Sequence, residues 1–388
     1  MTCPRLSGRS WSLCCQCPRV KDGPVGQSIR KGTTVPTTPS QRLPRRAALV
    51  ATVLAVGLGA AGCATPSATA GGEAGGKPVI RIAYQKFPSG DLVVKNQKLL
   101  EKALPKYTIE WKAFDSGASI NTAFIAKAID IGAIGSRPVA RGLSDPLNIP
   151  YSVAYVLDVA GENEALVARK EVGVSTVAGL KGKRIATPFA STSHYSLIAA
   201  LDHEGLSDTD VTLVDLQPQD ILAAWKRGDI DAAYVWLPVL DELRADGTTL
   251  VTSADVAHWG KPTLDLGVVS NALAAKHPDV VDAWRTAETA GTTLIREKPE
   301  EAAKAVAAEL GISPEDAAGQ LSQGVFLSPE EQSSADWLGT DGSPGALASN
   351  LHDAASFLAE LKKIPAAPAE DVFSKAIYTK GLPGALGG

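Results

Sequence analysis

Short apolar stretches alternate with amphipathic stretches along most of the chain. VIRIAYQ at 79–85 and TIEWKAF at 108–114 have the two-residue period of strands, and the stretches that follow them have helical spacing. The alternation resumes from 166 to about 264, and the pattern is then mostly helical to about 363. Strands that alternate with helices predict an α/β fold, in which ligands bind at the rim formed by the carboxyl ends of the strands.

Two segments of the chain resemble each other. AKAIDIGAIGSRP at 126–138 and WKRGDIDAAYVWLP at 225–238 each contain a helix end, an Asp-Ile step, a short apolar strand and a proline. The repeat predicts two similar lobes in which Ser136 and Trp236 occupy equivalent strand ends. Convergence on one βα unit explains the likeness equally well and stays open.

Residues 181–205, KGKRIATPFASTSHYSLIAALDHEG, combine a short apolar strand, a hydroxyl-rich turn and a helix. Ser191, Thr192 and Ser193 stand at the first helical turn, where backbone N–H groups have no partner within the helix. Hydroxyls, free amides and the positive end of the helix dipole together favour an anion. The turn therefore predicts an anion site, although hydroxyls at this position also serve simply as helix caps.

Residues 45–63, RRAALVATVLAVGLGAAGC, have the arginines, the apolar run and the small terminal residues of a secretion signal. The run is too short and ends too sharply to predict a membrane-spanning helix. Its ending resembles a bacterial lipobox, with Ala60 where Leu is usual, and predicts cleavage before Cys63 and a lipid on its thiol. A plain secretory signal is the alternative. The GxGxxG spacing inside the run is no dinucleotide site, because no strand and helix flank it.

The rest of the N-terminal sequence predicts no folded domain. We interpret 1–63 as a signal region, in which 1–34 indicate an over-extended start, with a metal-binding CxC tail as the alternative. Residues 64–77 are rich in Gly, Ala and Ser and predict a flexible linker. No cysteine follows Cys63, so the mature chain offers neither disulfides nor thiolate metal sites.

Composition and motifs exclude several functions. A chain of 388 residues is long enough for two domains, and its net charge of −4 argues against nucleic acid as a partner. HExxH, GxSxG and a phosphate-binding loop with its lysine are missing from the sequence. The five histidines show no metal-ligand spacing. We therefore predict no catalytic residues, no cofactor and no metal.

Polar residues at segment borders indicate a ligand site instead. Glu164 and Asp265 stand where the chain would cross between lobes, and with the indole of Trp236 they could hold a cation. The Ser191 to His194 turn, with Ser116 and Ser136 across the cleft, could hold an anion. The pattern predicts a small zwitterionic ligand. The alternatives are a solvated loop charge at Glu164, a surface turn at Asp265, a core indole at Trp236 and a packing role for His194.

Several long motifs of this chain resemble the taurine-binding proteins of bacterial ABC importers, within the nitrate, sulfonate and thiamine-precursor binding proteins. The resemblance runs from about 79 to 378 and rests on AYQ, FDSGASI, NEALV, KGKRIATPFASTSHYSLIAAL, LQPQDILAAWKRGDIDAAYVW and WGKPTLD. It implies a two-lobed periplasmic-binding-protein type II (clamshell) fold with a two-strand hinge. Lobe 1 would comprise 78–165 and 265–388, and lobe 2 would comprise 166–264.

The resemblance also implies partners and site residues. A monomer would deliver its ligand to a membrane permease driven by an ATPase. Glu164 and Asp265 would bind the ligand ammonium, Trp236 would lie against it, and the serines and helix N-termini would bind the sulfonate. The implied pocket residues are Gln85, Ser116, Ser136, Glu164, Thr192, Ser193, His194, Trp236 and Asp265.

Two positions depart from the family pattern. Arg137 stands where the family usually carries a small hydroxyl, and it could reach the anion, form a salt bridge outside the pocket or shrink the pocket. Gly267 stands where the family often has Trp, and its small size could widen the site.

The sequence thus favours an extracytoplasmic lipoprotein, anchored through Cys63, that binds taurine or a close aminosulfonate and is no enzyme. One rival is an alkanesulfonate or other small-anion binding protein, which would not need two acidic groups. The other rival is an enzyme on the same two-lobed fold, against which the secretion signal argues.

Overall fold

The computed structural model describes residues 76–387. The signal region, Cys63 and most of the 64–77 linker lie outside the described residues. Ten strands form two five-stranded sheets, and two short strands form a hairpin. The strands are β1 (Val79–Gln85), β2 (Thr108–Phe114), β3 (Ile131–Gly135), β4 (Tyr151–Val159), β5 (Glu164–Arg169), β6 (Arg184–Thr187), β7 (Thr212–Asp215), β8 (Ala232–Trp236), β9 (Gly247–Thr252), β10 (Leu264–Ser270), β11 (Gly339–Thr340) and β12 (Ser343–Pro344).

The two sheets share one topology. The first has the order β2-β1-β3-β10-β4, and the second has the order β7-β6-β8-β5-β9. In each, three parallel strands are followed by an antiparallel strand that begins just after the chain has crossed from the other half. We call the first sheet with its helices lobe 1 and the second sheet with its helices lobe 2. This arrangement confirms the predicted α/β fold, and β3 and β8 occupy equivalent central positions.

Helices cover both sheets and make up most of the chain after β10. Three short 3₁₀ turns lie at Lys170–Val172, Val177–Leu180 and Asp208–Asp210. The helices are α1 (Gly90–Gln97), α2 (Leu99–Ala103), α3 (Gly117–Ile125), α4 (Ser136–Gly142), α5 (Thr192–His203), α6 (Pro218–Arg227), α7 (Val239–Arg244), α8 (Ser253–His258), α9 (Asn271–Lys276), α10 (Pro278–Glu297), α11 (Pro299–Leu310), α12 (Pro314–Leu321), α13 (Pro329–Gln332), α14 (Leu347–Glu360), α15 (Glu370–Lys375) and α16 (Leu382–Ala385).

Strand β5 shows how the second sheet separates two apolar cores. Leu166 and Ala168 pack into the cluster beneath α5 and α8, whereas Ala165 and Val167 pack into the cluster with α6 and α7. Successive side chains of a strand point to opposite faces, so a strand covered on both faces reads as a continuous apolar run. This explains why EALVAR has no alternation of polar and apolar residues.

Two predicted helices are each divided in two. The stretch DLVVKNQKLLEKAL breaks at Lys98, whose φ of 54° ends α1 before α2 begins. The stretch AAKHPDVVDAWRTAETAGTTLI breaks at His277, because the ring of Pro278 disfavours helical backbone at the residue before it. The helical spacing of each stretch therefore covers two helices.

The chain passes between the lobes at two crossing segments, residues 160–163 and 259–263. The Ala160 amide donates to the Thr263 carbonyl (2.9 Å), so the two segments run side by side. Gln323, from the helical part of lobe 1, accepts the Glu162 amide (3.0 Å) and lies against the first segment. The first residues after each crossing segment are therefore fixed in position at the boundary between the two lobes.

The C-terminal tail is tied to lobe 1 by one arginine. Arg285 on α10 is fully buried and donates to the carbonyls of Ala154, Tyr378 and Lys380. These contacts fix the tail to lobe 1 as far as Lys380.

Candidate functional site

A cleft lies between the lobes and is lined by residues of both. It lies at the carboxyl ends of β1, β3 and β8, where open α/β sheets place their ligands. Two carboxyl side chains and neither Lys nor Arg occur among the residues that line it. The lining consists of Gln85, Phe87, Pro88, Gly117, Gly135, Pro138, Ala160, Asn163, Glu164, Ser191, Thr192, Trp236, Leu237 and Asp265.

Glu164 is the first residue of β5 and faces Trp236 in the register of the second sheet. It is buried and accepts hydrogen bonds from Thr192 Oγ1 (2.5 Å) and Ser253 Oγ (2.8 Å). Burial raises the pKa of the Glu164 carboxyl, and the two hydroxyl donors act in the opposite direction. The Glu164 carboxyl group is therefore held in place by two hydroxyl groups, and no Lys or Arg side chain lines the cleft beside it.

Asp265 is the second residue of β10 and is partly exposed to the cleft. Its register partner on β4 is Asp158, which is fully buried, and the two carboxyl groups lie within hydrogen-bonding reach. Burial is the main cause that raises the pKa of Asp265 well above its usual value, and the neighbouring Asp158 adds to it. A cation at this place would relieve the accumulated negative charge.

The start of α5 forms one wall of the cleft. Ser191 caps the helix by accepting the His194 amide (3.2 Å), and its own hydroxyl donates to the Pro188 carbonyl (2.6 Å). The Thr192 hydroxyl is used by Glu164. The hydroxyls thus serve as helix caps and as donors to a carboxylate. An anion at this turn would interact instead with the dipole of the 12-residue helix α5 and with the backbone amides of its first turn.

The start of α3 lies on the lobe 1 side. Ser116 is its N-cap and forms a capping box with Ser119, and Gly117 borders the cleft. A side chain at Gly117 would come within 2.5 Å of Pro138 Cγ, so only glycine lets the helix start approach so closely. Two helix N-termini, those of α3 and α5, therefore border the same cleft.

Gln85 and Trp236 complete the cleft from the ends of two strands. The Gln85 amide nitrogen donates to the Ala133 carbonyl (3.1 Å), so its orientation is fixed. Trp236, at the end of β8, is partly exposed and borders the cleft on the lobe 2 side. Its indole offers an apolar face against which a cation or a short methylene chain can lie.

Of the ten ligand residues expected from the sequence, five line the cleft directly: Gln85, Glu164, Thr192, Trp236 and Asp265. Ser116 stands one residue outside the lining. Ser136 is buried behind it, and its hydroxyl accepts the Leu264 amide (3.2 Å). Ser193 is fully buried, with no hydrogen-bond partner for its hydroxyl within the described residues.

His194 and Arg137 are turned away from the cleft. The His194 ring stacks on Phe189 (4.6 Å between ring centroids) and accepts the Ala190 amide (3.2 Å). Burial lowers the pKa of His194 to about 4, so the ring is neutral at pH 7. Both side chains fill positions behind the α5 helix start.

Arg137 lies between two aromatic rings. Its guanidinium carbon is 3.9 Å from the ring centroid of Tyr195 on α5 and 4.3 Å from that of Phe357 on α14. Burial lowers the pKa of Arg137 to about 9, which leaves the guanidinium charged at neutral pH. Arg137 is not part of the cleft lining, and its Nη1 and Nη2 atoms are buried without a hydrogen-bond partner within the described residues, so a role toward a ligand anion stays a prediction. Its stacking joins α4 of lobe 1 to α5 of lobe 2.

Gly267 does not widen the cleft. A methyl group built on it would lie 2.3 Å from the indole of Trp284, because that ring already fills the space beside the strand. Gly267 therefore accommodates Trp284 in the core of lobe 1, and the expectation of a larger ligand site at this position is wrong.

Sequence reasoning missed Asp158, Asn163 and Ser253. Asp158 is the penultimate residue of a mostly apolar strand, which was a visible signal, but its partner Asp265 lies 107 positions away. Ser253 belongs to a helix start that no motif singled out, and Asn163 lay inside the quoted motif NEALV without receiving a role. Ser253 acts on Glu164, Asp158 acts on Asp265 and Asn163 acts on Asp158, so the site depends largely on contacts distant in sequence.

Comparison with known proteins identifies the family of this chain. The chain is 40% identical over 294 residues to the taurine-binding periplasmic protein of Escherichia coli (strain K12), a match that covers 74% of this chain and 88% of that protein. The chain belongs to the taurine-binding periplasmic protein family. A family model described as NMT1/THI5 like matches residues 147–302.

Solved structures show the fold of this family member. The alkanesulfonate-binding protein SsuA from Xanthomonas axonopodis pv. citri, bound to MOPS, matches with a TM-score of 0.65 at 22% identity over 77% of this chain and 98% of that one. The desulfurization enzyme DSZB matches with a TM-score of 0.58 at 17% identity over 80% of this chain and 99% of that one. These likenesses confirm the two-lobed clamshell fold.

Two further observations concern residues 76–387 alone. Within residues 76–387, no helix of this protein is long and apolar enough to cross a membrane. The same residues contain no cluster of three or more His, Cys, Asp or Glu side chains suited to a metal ion.

Proposed function

We propose that this protein is the extracytoplasmic substrate-binding component of an ABC importer and that its cleft binds taurine or a close aminosulfonate. The observation that carries the proposal is the charge of the cleft, which has two buried or half-buried carboxyl groups and no basic side chain in its lining. A ligand with an ammonium group supplies the missing positive charge.

The sulfonate end of the ligand has a separate place in the same cleft. The N-termini of α3 and α5 direct the positive ends of two helix dipoles to it. Because no lysine or arginine competes for the sulfonate, the amides of the first helical turns and the Gln85 side chain are the donors within reach of the cleft. The Trp236 face lies against the two-carbon chain that joins the charged groups.

We further propose that the protein lies outside the cytoplasm and is anchored to the membrane through a lipid on Cys63, a proposal supported by the secretion signal and the lipobox-like ending. A linker at 64–77 lets the two lobes reach a permease, which an ATPase drives, and the protein works as a monomer. In a bacterial host, Cys63→Ser should move the protein from the membrane fraction to the soluble extracytoplasmic fraction. A parent protein already soluble would leave a plain secretory signal as the explanation.

The test of the ligand is calorimetric titration with taurine and with ethanesulfonate, which keeps the sulfonate and lacks the amine. Loss of one charge-assisted hydrogen bond is worth about 1.5–3 kcal/mol, so we expect taurine to bind about 10 to 150 times more tightly. Equal affinity would make the protein a general alkanesulfonate-binding protein, the function carried by the name of its structural relative.

An enzyme is the second candidate, because a desulfurization enzyme shares the fold. We propose that this chain is no enzyme, since its cleft is lined by neither His nor Cys and its one nearby imidazole is stacked on Phe189. Incubation of purified protein with taurine, followed by assay of released sulfite and of amine, should show no turnover. Release of either product would overturn the proposal.

A further inference from the structure

The carboxyl groups of Asp158 and Asp265 face each other across neighbouring antiparallel strands. Residues that are directly opposite in such a pair project their side chains to the same face of the sheet. Asp265 lines the cleft, whereas Asp158 lies directly behind it and is fully buried. A ligand that touches Asp265 therefore acts on Asp158 as well.

Asn163 determines which oxygen of Asp158 is left for Asp265. The Gly161 amide donates to Asn163 Oδ1 (2.7 Å), so the amide nitrogen of Asn163 faces Asp158 and donates to its Oδ2 (3.1 Å). Within the described residues, Oδ1 of Asp158 has no hydrogen-bond donor. Two ionised carboxylates are acceptors only, so a hydrogen bond between Asp158 and Asp265 needs a proton on one of them.

The charged groups that act on this pair are also acidic. Glu164 on β5 and Asp91 on α1 both add negative charge to it. Burial raises the pKa of Asp158 to about 7, and the pKa of Asp265 is raised further by burial and by Asp158. No basic side chain of the described cleft lining neutralises the pair.

Two basic side chains close to the cleft residues, Arg137 and His194, do not serve this purpose. Arg137, after β3, stacks between the rings of Tyr195 and Phe357, and His194, at the start of α5, stacks on Phe189. Because the described cleft lining contains neither Lys nor Arg, a cationic ligand group is the positive charge that can reach both carboxyls there.

We infer that Asp158 and Asp265 share one proton in the ligand-free protein and that the ammonium group of a bound ligand replaces this proton, which is released to solvent. Asp158 is then a hidden specificity-determining residue that acts through Asp265. The inference rests on the proposed function, because it takes the ligand to be cationic at one end. A sulfonate without an amine offers no charge to replace the proton, so it leaves the pair protonated.

Proton release is measured by titrating the full chain, expressed and purified from a bacterial host, with taurine in two buffers of different ionisation enthalpy. At about pH 8, above the pKa of about 7 of Asp158, the pair keeps one proton, so we expect about one proton released per taurine bound and an affinity that increases about tenfold per pH unit around this pH. With ethanesulfonate we expect no proton release. These measurements need no variant, so they remain decisive if a substitution prevents folding.

Asp158→Asn tests the hidden residue itself. The asparagine amide can donate to Asp265 without a shared proton, so we expect proton release clearly below one per taurine and a weaker pH dependence of taurine affinity, although burial still raises the pKa of Asp265. The matched control is Glu288→Gln, a fully buried acid on α10 that acts on Asp91 and not on the cleft pair. It should leave one proton released per taurine.

The outcomes separate this inference from the proposed function. Taurine that binds without proton release, or Asp158→Asn with unchanged release, overturns the inference and leaves the function. A variant that loses affinity by the same factor at every pH shows a purely structural role for Asp158 and also overturns it. Failure of taurine to bind at any pH overturns the proposed function and this inference together.

Discussion

Glu164→Gln separates recognition of the ligand amine from recognition of its sulfonate. The glutamine keeps the shape of the side chain, and its carbonyl and amide can pair with the hydroxyls of Thr192 and Ser253, which rotate to suit. What the substitution removes is one negative charge at the start of β5. The effect on binding can therefore be read without a large structural change.

The expected loss follows from the value of a hydrogen bond to a charged group, about 1.5–3 kcal/mol. Taurine affinity should fall about 10- to 150-fold. Ethanesulfonate affinity should stay the same or improve, because a negative charge near the sulfonate has been removed. The preference for taurine over ethanesulfonate is thus expected to collapse.

Isothermal titration with both ligands measures this change. Glu162→Gln is the matched control, since Glu162 lies two residues earlier and its side chain is exposed. The control should bind both ligands as the parent does. A loss of the same size for taurine and ethanesulfonate in Glu164→Gln would refute the assignment of Glu164 to the amine.

Arg137→Met should leave the free energy of unfolding unchanged or raise it by up to about 2 kcal/mol, because a thioether keeps both ring contacts without burying a charge; urea unfolding measures it, and abolished taurine binding would show that Arg137 contacts the ligand. Gly267→Ala should destabilise the protein by about 1–3 kcal/mol, because its methyl group collides with Trp284; improved binding of larger sulfonates at unchanged stability would contradict this. Lowering the pH from about 8 to about 5.5 should stabilise the ligand-free protein by about 1.4 kcal/mol per pH unit for each acid that is titrating. Burial raises the pKa of Asp91 to about 6 and that of Asp158 to about 7, so the folded state takes up protons where the unfolded chain stays ionised. Neutral His194 opposes this below about pH 6.5, since the unfolded chain then protonates first. A thermal midpoint that decreases as the pH is lowered from 8 to 6.5 would contradict this expectation.

The local pattern of residues predicted the strands and several cleft residues correctly in place. VIRIAYQ, TIEWKAF and IGAIG are strands with the predicted bounds, and Gln85 and Trp236 stand at strand ends bordering the cleft. These features depend on periodicity and on the chemistry of single loops, both of which are written in adjacent residues.

What the sequence could not reveal depends on residues distant in the chain. The surroundings of Arg137 are supplied by Tyr195 and Phe357, and only the tertiary packing of α4, α5 and α14 brings them together. The space beside Gly267 belongs to Trp284 for the same reason. The helix break at His277, by contrast, could be predicted from the proline that follows it.

The places of the two cleft carboxyls along the chain determine how little a lobe rotation displaces them. Glu164 is the first residue after the 160–163 crossing segment. Asp265 is the second residue of β10, the strand that follows the 259–263 crossing segment. An atom moves in proportion to its distance from the pivot, and one extended residue adds only about 3.3 Å to that lever arm. The carboxyls of Glu164 and Asp265 therefore keep nearly the same spacing when the lobes open and close. The ligand amine can bind to them early, and groups farther out along the rim enclose the ligand later.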